Sequence, residues 1–286
     1  MPLVFASRGI VPSLPPVAGG GGGAGAFFQP DIDAASTVAS LFYDVNTYSG
    51  VIVDLSTTVY RPGHSKSIRV QYPVDEAGVE LKPPAFASTP TLFTRKYEYF
   101  ASGWETNWPV GLKTSRYFTT ADWTQGAAEP NAYAYMSEKA VWQSYSGDTN
   151  DNFARGFNHA CFNYDLEGSY AGGSILANGG ATGYTSPALT PNAYLQTGQW
   201  YKIETWMQIN SAADAADGVL QFWIDDQLII DINTFVWRST SRGCPNGTGW
   251  QTMWFGGNYS GAVFGSPSAT VSRHISDLYL STTKDR

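Results

Sequence analysis

Two tryptophans on neighbouring predicted strands are the first residues whose type and spacing suggest chemistry. Trp206 lies within residues 201–210 and Trp223 within residues 219–230, and apolar and polar residues alternate in both segments. Alternation with period two is typical of a strand with one buried face, which puts both indoles on the other face. An exposed indole can stack on a sugar ring while its edge donates a hydrogen bond; alternatively, the two rings cover the rim of a second sheet. The candidate glycan-binding residues are therefore Trp206, Gln208, Gln221 and Trp223, together with Arg116 from an earlier segment.

The composition of the chain indicates that these strands belong to an all-β protein. Of the 286 residues, 43% are hydrophobic, 15% are aromatic and only 14% are charged. A high aromatic content with few helix-favouring runs favours strands. Many strand-like segments at irregular spacing, joined by long loops, predict a two-sheet jelly-roll β-sandwich over residues 31–286.

Residues 1–30 differ in composition from the rest of the chain. They contain Pro12, Pro15 and Pro16, followed by five consecutive glycines at 19–23. Such a segment is extended and flexible unless a neighbour holds it. We expect an N-terminal arm that docks on other subunits of a homo-oligomer or a larger assembly.

Several classes of function are disfavoured by charge and composition. The net charge is −7 and the 17 Lys and Arg residues are scattered, so no basic stripe for nucleic acid is present. No apolar run is long enough to span a membrane, and the N-terminal residues do not resemble a secretory signal. His64, His159 and His274 lack metal-ligand spacing, and we expect neither a metal nor another cofactor. Cys161 and Cys244 could form one disulfide or remain two buried thiols.

Several segments between residues 61 and 281 carry a resemblance to a known family. They read GHSKSIRVQYP, NWPVGLKTSRYF, NAYAYMSEKAVW, GQWYKIETWMQIN with DGVLQFWIDDQLII, WFGG and HISDLYLS. In this order they resemble the concanavalin A-like jelly roll of polysaccharide lyases, in particular the family that includes algal-virus and mollusc alginate lyases and related glucuronan-type enzymes. The same sandwich also hosts lectins and hydrolases, so the resemblance implies a fold more strongly than an activity.

The resemblance implies β-elimination at a uronate. In that reaction a base removes the C5 proton, an acid protonates the leaving oxygen, and cations neutralise the carboxylate. The family pattern has a lysine in the loop motif, a Ser-x-Arg pair on the next strand and two tyrosines further on. The residues that the resemblance places in these roles are Lys113, Ser137, Lys139, Tyr135 and Tyr164.

This set departs from the family pattern at two positions. Lys139 stands where arginine is expected, and lysine cannot grip a carboxylate with two parallel hydrogen bonds. The downstream tyrosine pair is missing, and Tyr164 is its nearest substitute. With the arm and the missing secretory signal, the incomplete set predicts a non-enzymatic, glycan-binding structural protein of an assembly. A phage virion, with the chain as a capsid decoration or tail component made in the host cytoplasm, fits this prediction. The alternative is an extracellular polysaccharide lyase acting on a uronate-containing glycan.

Overall fold

A computed structural model describes the parts of the chain that form the strands and their immediate connections. The described residues are 26–47, 50–74, 78–104, 112–119, 133–141, 153–162, 174–176, 194–240, 245–258 and 267–286. Within these ranges no helix is long and apolar enough to cross a membrane.

One sheet, sheet A, contains the strands around the two tryptophans discussed above. All of its pairings are antiparallel. With strands numbered in chain order, its spatial order is β14 (Gln227–Phe235), β13 (Gly218–Ile224), β12 (Trp200–Gln208), β6 (Thr91–Phe100), β16 (Val271–Ser281), β4 (Ser67–Tyr72) and β3 (Ile52–Ser56), and β1 (Ala26–Phe28) also pairs with β16.

The second sheet, sheet B, is antiparallel as well and contains the segments that resemble the lyases. Its spatial order is β10 (Ser174–Leu176), β9 (Phe153–Phe162), β8 (Tyr133–Val141), β7 (Leu112–Phe118), β15 (Thr252–Asn258), β5 (Val79–Lys82) and β2 (Asp44–Thr47), and β11 (Tyr194–Leu195) also pairs with β9. Two packed antiparallel sheets confirm the predicted jelly-roll β-sandwich.

Alternation along the strands explains which residues reach the space between the sheets. In β4, Ile68, Val70 and Tyr72 are fully buried, and they share one face as the sequence predicts. The inward row of β6 contains two buried charges, and it runs Leu92, Thr94, Lys96, Glu98 and Phe100. The interior is therefore an apolar core with a charged region at its centre.

The end of the predicted N-terminal arm is part of the sandwich. Ala26 pairs with Ser281 of β16, and Phe28 packs on Phe42 and Phe255 at ring distances of 5.9 and 6.3 Å. Burial of the Phe28 ring fixes this part of the segment to the core. The remainder of the predicted arm, residues 1–25, lies outside the described residues.

Candidate functional site

The register between β7 and β8 brings together four of the residues singled out in the sequence. Lys113 is the Cα partner of Lys139, and Arg116 is the Cα partner of Ser137. Directly opposed residues of an antiparallel pair occupy the same face of the sheet. These positions form two successive cross-strand pairs on that face, and the next pair on the same face is Phe118 with Tyr135.

The face that holds these pairs is the outer face of sheet B, as Glu138 shows. Glu138 lies between Ser137 and Lys139 in β8 and is fully buried between the sheets. Its carboxylate contacts Lys96 of sheet A, with 3.1 Å between the Lys96 nitrogen and Oε2. Because strand residues alternate, the positions on either side of Glu138 belong to the opposite face.

A β-bulge in β7 interrupts this alternation. The register shifts between Lys113 and Ser115, so that Thr114 and Ser115 together oppose Glu138. Both residues of the bulge face the interior: Thr114 Oγ1 donates to Glu138 Oε1 at 2.8 Å, and Ser115 Oγ accepts from the Lys96 ammonium at 2.5 Å. Lys113 and Arg116, three residues apart, therefore share one face.

A band of paired charges and aromatic rings continues this outer face across β15 and β5. Trp254 is the Cα partner of Arg116, and the guanidinium lies 5.4 Å from the centre of its ring. Lys82 lies 4.6 Å from the same ring and 3.0 Å from the Glu80 carboxylate, and Glu80 is also 4.0 Å from Arg116. Arg116 is only 7% exposed. These contacts of the guanidinium are to the protein itself, which makes Arg116 an anchor of this band.

Strand β9 forms the other side of the candidate site. The Cα partners of Tyr135, Ser137 and Lys139 on β9 are Ala160, Asn158 and Gly156. The sequence of β9, FARGFNHACF, contains no tyrosine, so the tyrosine pair of the resembled family has no counterpart on this strand. The predicted substitute Tyr164 lies outside the described residues.

The predicted glycan-binding residues do not form one site. Trp206, Gln208, Gln221 and Trp223 lie on β12 and β13 of sheet A, whereas Arg116 lies on sheet B. The expectation of an exposed indole at Trp223 is wrong, since this residue is 3% exposed. Its ring is covered by the C-terminal residues Lys284 and Arg286, whose charged groups lie 4.6 and 4.3 Å from the ring centre.

The other members of the sheet A set differ in exposure. Trp206 is half-buried and is the Cα partner of Gln221. The Gln221 amide already donates to Asp231 at 2.7 Å and accepts from Lys284 at 2.8 Å. Gln208 is exposed at the end of β12. Alternation identified the correct face for these residues, but it could not show that the C-terminal residues occupy part of that face.

Sequence reasoning missed the charged cluster behind the candidate site. We define the buried ionic cluster as Lys96, Glu98, Glu138 and Arg273, all at most 2% exposed. Arg273 donates to Glu98 at 2.6 Å, and Lys96 lies 3.1 Å from Glu98 as well as from Glu138. The one signal in the sequence was Glu138, a charged residue on the apolar face of β8.

Two tyrosines at the edge of the buried ionic cluster are held in their neutral form. Tyr117 donates to Glu138 Oε2 at 3.3 Å, and burial raises the pKa of its hydroxyl. Burial likewise raises the pKa of Tyr72 to about 12, with the neighbouring Arg273 opposing the shift. Among the described residues, no group of three His, Cys, Asp or Glu side chains is placed to hold a metal ion.

Comparison with known proteins gives a family match over part of the chain. Residues 190–273 match the family described as polysaccharide lyase 14. This segment contains β12, β13 and β15 but not β7 or β8, which carry the candidate site residues. No curated protein matches the sequence.

Solved structures with the same fold are similar over almost the whole chain. Alginate lyase Aly36B is 14% identical with a TM-score of 0.60, covering 91% of this chain and 98% of its own. The marine PL-14 alginate lyase from Aplysia kurodai is 13% identical with a TM-score of 0.57, covering 91% and 100%. An endo-β-1,4-glucuronan lyase from the fungus Trichoderma reesei is 9% identical with a TM-score of 0.51, covering 90% and 96%.

These comparisons confirm the resemblance to alginate and glucuronan lyases. They also correct the functional prediction. A non-enzymatic virion structural protein is contradicted by the lyase family match and the lyase neighbours, which favour the alternative of a polysaccharide lyase. A virion location and virion partners are likewise unsupported by the fold and its relatives.

Proposed function

We propose that this protein is a polysaccharide lyase that cleaves a polyuronate, the class to which alginate and glucuronan belong. The observation that carries the proposal is the register that pairs Lys113 with Lys139 and Arg116 with Ser137 on one face of sheet B. The family match over residues 190–273 and the lyases of the same fold support it. Such polymers occur outside cells, which agrees with an extracellular place of action.

The proposed reaction is β-elimination within the chain of sugars. The proton on C5 of a uronate is removed, a double bond forms between C4 and C5, and the bond from C4 to the bridging oxygen breaks. The bridging oxygen takes up a proton, so no water is consumed. Negative charge develops on the uronate carboxylate as the C5 proton leaves, and fixed cations lower the barrier when they are aimed at that charge.

Lys113 and Lys139 are the cations that we assign to the carboxylate. Lys113 and Lys139 are directly opposed on neighbouring strands and therefore lie on the same face, where both could bind one anionic group. Arg116 is unsuited to this role because it is 7% exposed and lies beside Glu80 and Trp254. The lysine pair is therefore the proposed carboxylate-binding element.

Tyr135 is the residue that we assign to proton transfer, with Ser137 beside it in the substrate-binding row. In β8, residues Tyr133 and Tyr135 are two apart and in the same alternation as Ser137 and Lys139. The two tyrosines of the resembled family are also two apart, but on the following strand. Opposite Tyr135 and Ser137, β9 carries Ala160 and Asn158.

The proposal is tested by incubating the full chain with alginate and with polyglucuronate and following the ultraviolet absorbance of the unsaturated uronate product. Lys113→Ala should lower kcat/KM by about a hundredfold, the size of effect seen when one group that stabilises developing charge is removed. Lys284→Ala, which alters a lysine bound to Gln221 on sheet A, is the matched control and should keep full activity. New reducing ends without the ultraviolet signal would indicate hydrolysis, and the absence of any product from both polymers would refute the proposal.

A further inference from the structure

The placement of Lys113 depends on a single irregularity in β7. Residues three apart in a regular strand lie on opposite faces, yet Lys113 and Arg116 are opposite Lys139 and Ser137, which share a face. The extra residue is Thr114. Without the bulge, the alternation that runs back from Arg116 would turn position 113 toward the interior.

Three contacts from the buried ionic cluster hold the bulge. The Thr114 hydroxyl donates to Glu138 at 2.8 Å, and the Thr114 carbonyl accepts from Arg273 at 3.1 Å. The next residue, Ser115, accepts from Lys96 at 2.5 Å. Both the side chain and the backbone of the bulge are thus bound to charges of the cluster, two of which come from sheet A.

The strand on the other side of β7 is irregular at the same level. Phe255 pairs with Ser115 and Asn258 pairs with Lys113, so the register of β15 also shifts around Gly256. Gly256 has a φ of +148°, and a Cβ there would lie 2.3 Å from the Val79 carbonyl oxygen. The register of β7 is therefore irregular with both of its neighbours, β8 and β15.

A buried ionic cluster is a costly way to fill the centre of a sandwich. Desolvation of buried charges can exceed the gain from pairing them, and apolar residues of similar volume often give equal or greater stability. A role in specifying one backbone arrangement is a physical reason to keep such a cluster. In this protein the buried ionic cluster contacts the bulge in β7, and the bulge determines the face on which Lys113 lies.

We propose that the buried ionic cluster positions the carboxylate-binding lysines, by clamping the Thr114 bulge so that Lys113 lies on the outer face of sheet B, opposite Lys139. The effect of the clamp on catalysis rests on the proposed function. Its effect on the backbone of β7 does not. Thr114, Glu138, Lys96 and Arg273 are positioning residues, since they lie behind the face that would bind substrate.

The test replaces Thr114 by Val, which keeps the shape of the side chain and removes the hydroxyl. Hydrogen exchange of the backbone amides of residues 112–118 should accelerate by about tenfold or more, as expected when a buried hydrogen bond that holds the strand is lost. On the polyuronate that the wild type cleaves, kcat/KM should fall by about tenfold or more, and Thr114→Ser should restore both quantities to within about twofold.

Thr89→Val is the matched control. Thr89 is a buried threonine whose hydroxyl donates to the Thr91 carbonyl at 2.9 Å, outside β7 and the buried ionic cluster. It should leave the exchange of residues 112–118 and the kinetics unchanged. If Thr114→Val and Thr89→Val lower the thermal midpoint equally and both leave exchange and kinetics at the wild-type level, the cluster only contributes stability and the inference is wrong.

The exchange measurement separates this inference from the proposed function. A wild-type chain that cleaves no polyuronate refutes the proposed function, while faster exchange in Thr114→Val would still support the clamp on the bulge. Conversely, an active wild type with unchanged exchange and kinetics in Thr114→Val refutes the clamp alone. Thr114→Ala, which avoids any overpacking, is measured in the same way should Thr114→Val not fold.

Discussion

Lys96 and Glu138 come from opposite sheets, and their charged groups lie 3.1 Å apart in the interior of the sandwich. Lys96 also lies 3.1 Å from Glu98, so one ammonium group stands between two buried carboxylates. Its removal would leave both carboxylates in a region of low dielectric with Arg273 as the remaining cation of the cluster. A buried charge that loses its partner destabilises a protein far more than an exposed one.

Lys96→Met should lower the free energy of unfolding by about 3–5 kcal/mol, measured by urea denaturation. Arg69→Met is the matched control, because Arg69 forms a salt bridge with Asp54 between β4 and β3 of sheet A. The two side chains are 34% and 40% exposed, so the loss of Arg69 should cost no more than about 1 kcal/mol. Equal losses in the two variants would contradict a special role for the buried pair.

Sequence reasoning predicted the sandwich because its signals are local. The alternation of Ile68, Val70 and Tyr72 identified a buried face of β4 correctly. The step Asp225-Asp226 joins β13 to β14 as a tight turn in which both residues have positive φ, at 47° and 68°, a conformation that aspartate tolerates. Hydrophobic periodicity and turn chemistry depend on neighbouring residues and can be read without knowing the partners in space.

The candidate site could be predicted only in part, because its geometry depends on contacts between distant segments. Lys113, Ser137 and Lys139 were identified through a family resemblance, but the bulge at Thr114 that relates them leaves no mark in the pattern of residue types. The ion pair of Lys96 with Glu138 joins strands of different sheets. The covering of Trp223 by Arg286 likewise depends on where the C-terminal residues fold back.

Gly256→Ala should destabilise the protein more than a positive φ alone explains. A Cβ at Gly256 would meet the Val79 carbonyl oxygen at 2.3 Å, and the residue also has a φ of +148°. We expect a loss of at least about 2 kcal/mol in the free energy of unfolding, measured by urea denaturation, since backbone strain of this kind costs roughly 1–3 kcal/mol before any clash.

Gly63→Ala is the control for Gly256→Ala. Gly63 has a φ of +91°, and no atom lies within 4 Å of the position that an added Cβ would occupy. Its substitution therefore measures the cost of the backbone conformation without a clash. The difference between the two variants gives the cost of the close approach between β15 and β5. A smaller loss for Gly256→Ala than for Gly63→Ala would show that this approach is not tight.

Stability should fall with decreasing pH in a window set by His274. Burial, and to a lesser extent the nearby Arg69, lower the pKa of this imidazole from its ordinary value of 6.5 to about 4. Between these two values the unfolded chain binds a proton that the folded chain does not, so acidification favours unfolding. The contribution of His274 to stability is complete above pH 6.5, and on the order of 3 kcal/mol is lost by pH 4.

His274→Gln should flatten the pH dependence of the free energy of unfolding within this window. The measurement is urea denaturation at several pH values between 4 and 7 for the wild type and the variant. Carboxylates that titrate in the same range affect both proteins equally, so the difference between the two curves isolates His274. Parallel curves would show that the imidazole is protonated in the folded protein as readily as in the unfolded one.

Lys139→Arg should strengthen the binding of a uronate substrate, if the lysine pair binds the carboxylate as proposed. The family resemblance implies an arginine at this position, and its planar guanidinium can form two parallel hydrogen bonds to a carboxylate where lysine acts as a point charge. We expect KM to fall by about threefold to tenfold with kcat changed by less than about twofold, because the added contact would be present in the ground state and the transition state alike.

Lys202→Arg is the control, since Lys202 is paired with Asp226 on sheet A. This variant should leave both constants unchanged. An unchanged or higher KM in Lys139→Arg would place the substrate carboxylate away from this position, and the assignment of the lysine pair would then be wrong.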